Sequence, residues 1–181
     1  MLWLGHASVG YLIAYFLIKV FHSTLLTGND VNLLLLFGAI AGILPDIDFI
    51  FFFLSNKSIK LQRNDTHHKY ITHTILFWLI VSLILLFVTG TFFGIYLSII
   101  LFLSALSHLI LDSLQYEIMF FWPFSKKYYG LNAMPKENLD MKQSTTSYYW
   151  KFFWKIYAKN WTFYLELIFL IIVLLVYFRI V

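Results

Sequence analysis

Apolar residues run almost unbroken through five stretches of the chain, at about 4–22, 31–54, 71–89, 92–112 and 161–180, and polar residues collect between them. A helix crossing a bilayer core of about 30 Å takes roughly 20 apolar residues, and each stretch reaches or nearly reaches that length. Pro45 interrupts the second, because its ring clashes with the carbonyl of Ala41 and it carries no backbone N–H. The third and fourth are joined by the short uncharged run Val88-Thr89-Gly90-Thr91. Before the fifth, the segment 148–160 places Lys151, Lys155 and Lys159 four residues apart, with Trp150, Phe153, Trp154 and Tyr157 over much of the remaining surface. In a helix these lysines form one basic stripe, the pattern of a helix lying in an anionic membrane interface, with Ser144 to Ser147 as caps. A helix packed on the other spans is the alternative. The pattern predicts an all-α fold, a polytopic transmembrane helical bundle of about five spans with an interfacial amphipathic helix.

Composition agrees and narrows the class. Of 181 residues 61% are hydrophobic and 12% charged, against about 45–50% and about 25% in soluble domains. Folding could not bury so much apolar surface in a soluble domain of this length. A soluble enzyme, a disordered chain and a fibrous protein are excluded. With no cysteine, disulfides, iron–sulfur clusters and thiolate zinc sites are excluded too, so any metal is held by His, Asp, Glu or carbonyl oxygen. The net charge of +4 is too small to argue for nucleic acid. No basic region precedes the first apolar stretch, so a cleaved signal peptide is not expected.

The distribution of charge sets sidedness. Residues 55–70 carry Lys57, Lys60, Arg63 and Lys69 against Asp65 alone, and 113–160 carry seven lysines against Glu117, Glu137 and Asp140. Segments 23–30 and 89–91 have neither Lys nor Arg. Basic loops stay in the cytoplasm, which places the N-terminus there and the C-terminus outside, with Lys19 and Arg179 against the rule.

Ionisable residues within the spans carry the chemistry. A carboxylate at mid-span costs about 2.5–3.5 kcal/mol on insertion scales, so such groups mark function. His6 begins the first span; Asp46 and Asp48 follow Pro45; His68 and His73 bracket the start of the third; His108 and Asp112 end the fourth. Orientation read from Lys and Arg alone puts all of these in the cytoplasmic half. His108 and Asp112, four apart, share a helix face and can clasp one ion. Asp46 and Asp48, two apart, diverge on a regular helix, so either a turn opened at Pro45 presents both or one of them orients a histidine. Asp46 is the preferred direct ligand. Each histidine alone reads more readily as a hydrogen-bonded packing residue than as a ligand; jointly they favour a site. A proton or cation pathway would thread the membrane, whereas the outer half holds only His22 and Asp30. Glu166, five residues into the fifth span, reads as a snorkelling residue or an outer partner of the site.

At Gly5-His6, Leu44-Pro45-Asp46-Ile47-Asp48, His68 through Thr74, Ser107 through Asp112 and Phe121-Trp122-Pro123-Phe124-Ser125, the chain resembles the YdjM-like family of membrane-bound metal-dependent hydrolases, also described as LexA-binding and inner-membrane-associated. The motifs run in the family's order over roughly 5–130, leaving the tail uncovered. The family's His-Arg-Gly-x-Thr-His-Ser stands here as His68-Lys69-Tyr70-Ile71-Thr72-His73-Thr74, with Lys for Arg and Tyr for Gly. The family is distantly similar to zinc-dependent phospholipase C and the P1-type nucleases, which implies phosphoester hydrolysis.

The expectation is a metal-dependent hydrolase acting on a phosphoester, a phospholipid or lipid-linked phosphate, at the cytoplasmic face of the inner membrane. One or two divalent ions, zinc before manganese or magnesium, would be held by His6, Asp46, Asp48, His68, His73, His108 and Asp112. Asp48 is a bridging ligand or general base, and Lys69, or Lys126 and Lys127, neutralise phosphate. Residues 1–130 form the metal-site bundle, 131–160 a basic and aromatic segment, and 161–181 a C-terminal helix. The expected partners are membrane lipids, with a cytosolic protein as a further candidate and no nucleic acid. The alternative is a non-enzymatic metal-stabilised scaffold or a cation transporter.

Overall fold

A computed structural model describes residues 2–21, 25–56, 70–131 and 144–180. Seven α-helices account for most of these: α1 (Trp3–Val20), α2 (Gly28–Ile43), α3 (Asp48–Asn56), α4 (Ile75–Thr89), α5 (Phe92–Ser113), α6 (Thr145–Lys155) and α7 (Trp161–Ile180). The architecture is an all-α membrane bundle. Among the described residues four helical stretches are long and apolar enough to cross a bilayer: Trp3–Val20, Gly28–Ser55, Phe92–Ser113 and Trp161–Arg179. The third apolar stretch differs from expectation. Its helix α4 has 15 residues, about 22 Å at 1.5 Å per residue, and starts at Ile75 because Thr74 turns extended and caps it by accepting from the Phe77 N–H.

α1, α2, α4 and α5 pack around a core whose inner residues are small where backbones meet. A Cβ added to Gly38 would lie 2.5 Å from the Gly10 carbonyl oxygen and 2.7 Å from Ala14 Cβ, so α1 and α2 cross at backbone contact. Close approach through small residues is how helices associate where lipid offers no hydrophobic drive between them. Ala14, Leu34, Leu35, Tyr96 and Ile100 fill one half of the core, and Ala41, Trp78, Leu101, Ala105 and Leu109 the other. Large apolar side chains such as Phe87, Val88 and Phe178 point outward, as lipid contact requires. α4 returns into α5 through Gly90, whose φ of 54° suits a residue without a Cβ.

Pro45 converts the second stretch into α2, a tighter 3-10 turn at Leu44–Ile47, and the short α3. The tail also departs from expectation. α6 ends at Lys155, and Lys159 belongs to a separate 3-10 turn at Tyr157–Lys159, so the three lysines do not form one continuous helical stripe. Tyr157 is buried and Phe153 half-buried, while Trp150 and Trp154 are exposed. Only the outer part of that segment is therefore available to an interface. α7 packs along α1.

Candidate metal centre

Five pieces of chain converge at one end of the bundle: the start of α1, the end of α2 with its 3-10 turn, the 3-10 turn Ile71–His73 before α4, and the end of α5, with α7 beginning beside them. Donor atoms of Asp46, His73, His108 and Asp112 all lie within 4.8 Å of one another, and all four residues are buried. His108 Nε2 is 3.4 Å from Asp46 Oδ1 and 3.2 Å from Asp112 Oδ2. His73 Nε2 is 3.9 Å from Asp46 Oδ1 and 3.7 Å from Asp112 Oδ2. These separations suit atoms sharing one ion better than atoms hydrogen-bonding each other, and His108 Nε2 in fact makes no hydrogen bond.

Both histidines are held from behind. His108 Nδ1 lies 2.7 Å from the Gly42 carbonyl oxygen, which can only accept, so Nδ1 carries a proton, and in the neutral ring Nε2 is the nitrogen with the lone pair, on the side of the carboxylates. His73 Nδ1 lies 2.8 Å from Asp48 Oδ2, the same arrangement with a carboxylate as acceptor. Metal-ligating histidines commonly show this pattern, the far ring nitrogen fixed by a carbonyl or carboxylate. The Thr72 hydroxyl donates to the same Asp48 oxygen, and the Thr72 carbonyl accepts from Trp78 Nε1 at 2.6 Å, which ties the turn to α4. The four donors could hold a divalent ion of borderline or hard character.

Sequence-predicted residues take different places around this cluster. Asp46 is one of the four clustered donors. Asp48 is not: the turn at Pro45 aims its Oδ2 at the outer nitrogen of His73, the orienting place rather than the bridging one. His6 lies on the flank, stacked on His108 with ring centroids 3.7 Å apart and its Nε2 3.0 Å from Asp112 Oδ1. His68 and Lys69, also expected in the site, lie outside the described residues. Lys126 and Lys127 are exposed on the turn after α5. Glu166 is not a snorkelling residue. It is buried, packs with its side chain over Gly5, accepts from the Leu2 N–H at 3.2 Å and receives the Tyr157 hydroxyl. Burial, and then that bond to Glu166, push the Tyr157 phenol above its ordinary range.

Three contributors were not singled out from sequence. The Gly42 carbonyl gives no signal, since every residue has one. Thr72 was visible only as part of a matched motif. Tyr116, four residues beyond Asp112, follows the same spacing that links His108 to Asp112, and its N–H donates to the Asp112 carbonyl at 2.8 Å. Burial, and next the Asp112 carboxylate, raise its phenol well above the ordinary range, so it stays protonated beside the cluster.

A family model described as YdjM inner membrane protein matches residues 1–181, the whole chain, so the tail beyond residue 131 lies within the family match as well. Neither the curated proteins nor the solved structures contain a match.

Proposed function

The chain belongs to the YdjM inner membrane protein family, and from the centre described above we propose that it is a membrane-embedded, metal-dependent hydrolase of a phosphoester on a phospholipid or lipid-linked phosphate. The observation that carries this reading is the pair of histidines with fixed tautomers, His73 and His108, aimed at two buried carboxylates. Asp46, His73, His108 and Asp112 would hold the ion, with zinc favoured by the two imidazoles. A bound divalent ion polarises a phosphoryl oxygen and lowers the pKa of water towards about 7. Asp48 and the Gly42 carbonyl keep the two Nε2 lone pairs facing inward. His6 lies beside the other Asp112 oxygen, 3.0 Å from Oδ1. Lys69, where the family motif has Arg, would offer a single charge to phosphate rather than a bidentate fork. The basic-loop count puts the centre and the N-terminus on the cytoplasmic side.

The decisive assay measures metal content and headgroup or phosphate release together, with the protein in nanodiscs presented with a panel of glycerophospholipids and polyprenyl phosphates. Wild type should carry at least one divalent transition metal per chain and release product; His108→Ala and Asp112→Ala should lose both. A second reading, the metal-stabilised scaffold, is favoured by one observation: Asp46, the most exposed of the four donors, is only 8% exposed. Structural metal sites have closed coordination, catalytic ones an open position. Metal-loaded wild type that turns over no lipid on the panel would select the scaffold.

A further inference from the structure

Two surface features on the same end of the bundle as the metal centre have no role in it. The first is the turn after α5. Leu131 N–H donates to the Ser113 carbonyl at 2.7 Å, an antiparallel bridge pairs Ile118 with Tyr129, and Ile75 N–H donates to the Phe120 carbonyl at 3.1 Å, so the turn is fastened to α5 and to the start of α4. At its tip Phe121, Trp122 and Phe124 stand out, Phe124 at 83% exposure, with Lys126 and Lys127 exposed behind them. The second is the outer face of α6 and the turn after it. Trp150 and Trp154 meet edge to face there at 5.7 Å, and Lys155 and Lys159 lie exposed next to them. The buried Tyr157 of that turn accepts from the Leu2 N–H at 2.9 Å, which fastens it to the start of α1.

Lysines outnumber acids in both: the turn after α5 has one acid, Glu117, ahead of its aromatic tip, and residues 144–161 include no Asp or Glu. Exposed large aromatics beside lysines, on an end where four apolar helices leave the bilayer, match the boundary between headgroups and acyl chains. Trp and Tyr rings settle at that depth, and lysines there meet the negative surface potential of an anionic leaflet. An acidic protein surface would account for the lysines but would leave Phe121, Trp122, Phe124, Trp150 and Trp154 in water, well beyond the scattered singles normal on a soluble face.

We propose that the 121–127 turn and the outer face of α6 form a two-point docking surface for anionic phospholipid, seating the end of the bundle that holds the metal centre at headgroup depth. This does not depend on the protein being a hydrolase. The aromatic tips set the depth, and Lys126, Lys127, Lys155 and Lys159 select anionic over zwitterionic headgroups.

The chain has no cysteine, so Phe124→Cys and Trp154→Cys can each carry a single spin label. In nanodiscs of phosphatidylcholine mixed with the anionic phosphatidylglycerol, both labels should be more accessible to oxygen than to a water-soluble nickel complex. The second arm compares wild type with the variant replacing all four lysines by Gln, reading annular phosphatidylglycerol enrichment by mass spectrometry of the purified discs. A lysine near such a surface is worth about 1 kcal/mol, roughly a fivefold preference, so the annular phosphatidylglycerol-to-phosphatidylcholine ratio should fall by roughly that factor in the variant. The fourfold Lys→Arg variant should retain it, which separates lost charge from misfolding. Labels accessible to nickel as in bulk water, or enrichment unchanged in the Gln variant, would overturn the proposal. Loss of enrichment in the Arg variant as well would overturn the role given to charge.

Discussion

His73 and His108 arrive at the cluster from different elements but are oriented alike, each through the nitrogen that faces away from it, so substitutions behind them should act through the imidazole. Removing the Asp48 carboxylate frees His73 to rotate or to take the other tautomer. Asp48→Ala should therefore weaken metal binding about 10–100-fold, measured by competitive zinc titration, whereas Asp48→Asn keeps an acceptor for Nδ1 and should recover part of the loss. A general base in that place would behave in the opposite sense, with metal retained and turnover lost. His108→Ala and Asp112→Ala each remove one arm of the helical clasp and should abolish stoichiometric metal. His22→Ala, in a segment beyond α1, should leave it intact. At this scale the sequence was informative about which residue types meet and poor about which atom each presents. The spacing of His108 and Asp112 is a property of any α-helix, so their shared face was legible. The aim of Asp46 and Asp48 depends on how the chain bends at Pro45, and a 3-10 turn re-aims a side chain in a way no helical period describes.

Among elements, the crossing of α1 and α2 governs the centre most directly. A Cβ added to Gly42 would meet the His6 carbonyl, and the Gly42 carbonyl is the acceptor for His108 Nδ1. Gly42→Ala should thus separate the helices and disturb both histidines. Overpacking of this kind costs about 1–3 kcal/mol, so a lower melting temperature together with weaker metal binding is expected. Gly28→Ala, where an added Cβ meets nothing within 4 Å, is the matched control and should change neither. The number of apolar stretches was readable from length and hydropathy alone. Two boundaries were not. Thr74 started the third helix late by capping α4 at its N-terminus, a local hydrogen bond outweighing an apolar run, and the lysine stripe broke at Ile156 because the chain has to turn before α7 can start.

For the whole molecule the first test is sidedness. In the cysteine-free background, Lys127→Cys and Lys159→Cys should be labelled from the cytoplasmic face and Asn29→Cys from the opposite one, using an impermeant maleimide on intact cells and inverted vesicles. Labelling of Lys127 and Asn29 from one side would break the assignment made from basic loops. The second test is metal removal. An ion bound only by the folded state stabilises it by about 2.7 kcal/mol when free metal is roughly 100 times Kd, so chelation should lower the melting temperature and zinc or manganese should restore it. Overall class was legible because membrane solvation forces composition: backbone groups close on themselves and apolar side chains face lipid. The site was legible as a set of residues out of place in lipid, but its layering into inner donors and outer supports follows from how helix ends meet, which one chain read in order does not contain.

The centre draws on positions as far apart as His6 and Asp112, and this bears on biosynthesis. Helices leave the ribosome and partition into the membrane in order, so His6 and Asp46 meet Asp112 and His108 only once α5 exists, whereas Asp48 and His73 can pair before it. A nascent chain halted before α5 leaves this end of the bundle without His108 and Asp112, and ionisable groups short of partners in a membrane favour slipping back toward water. Completion of α5 is then the step that commits the earlier helices. Fragments ending before residue 112 should be rapidly degraded in cells, and fragments ending after residue 131 should persist.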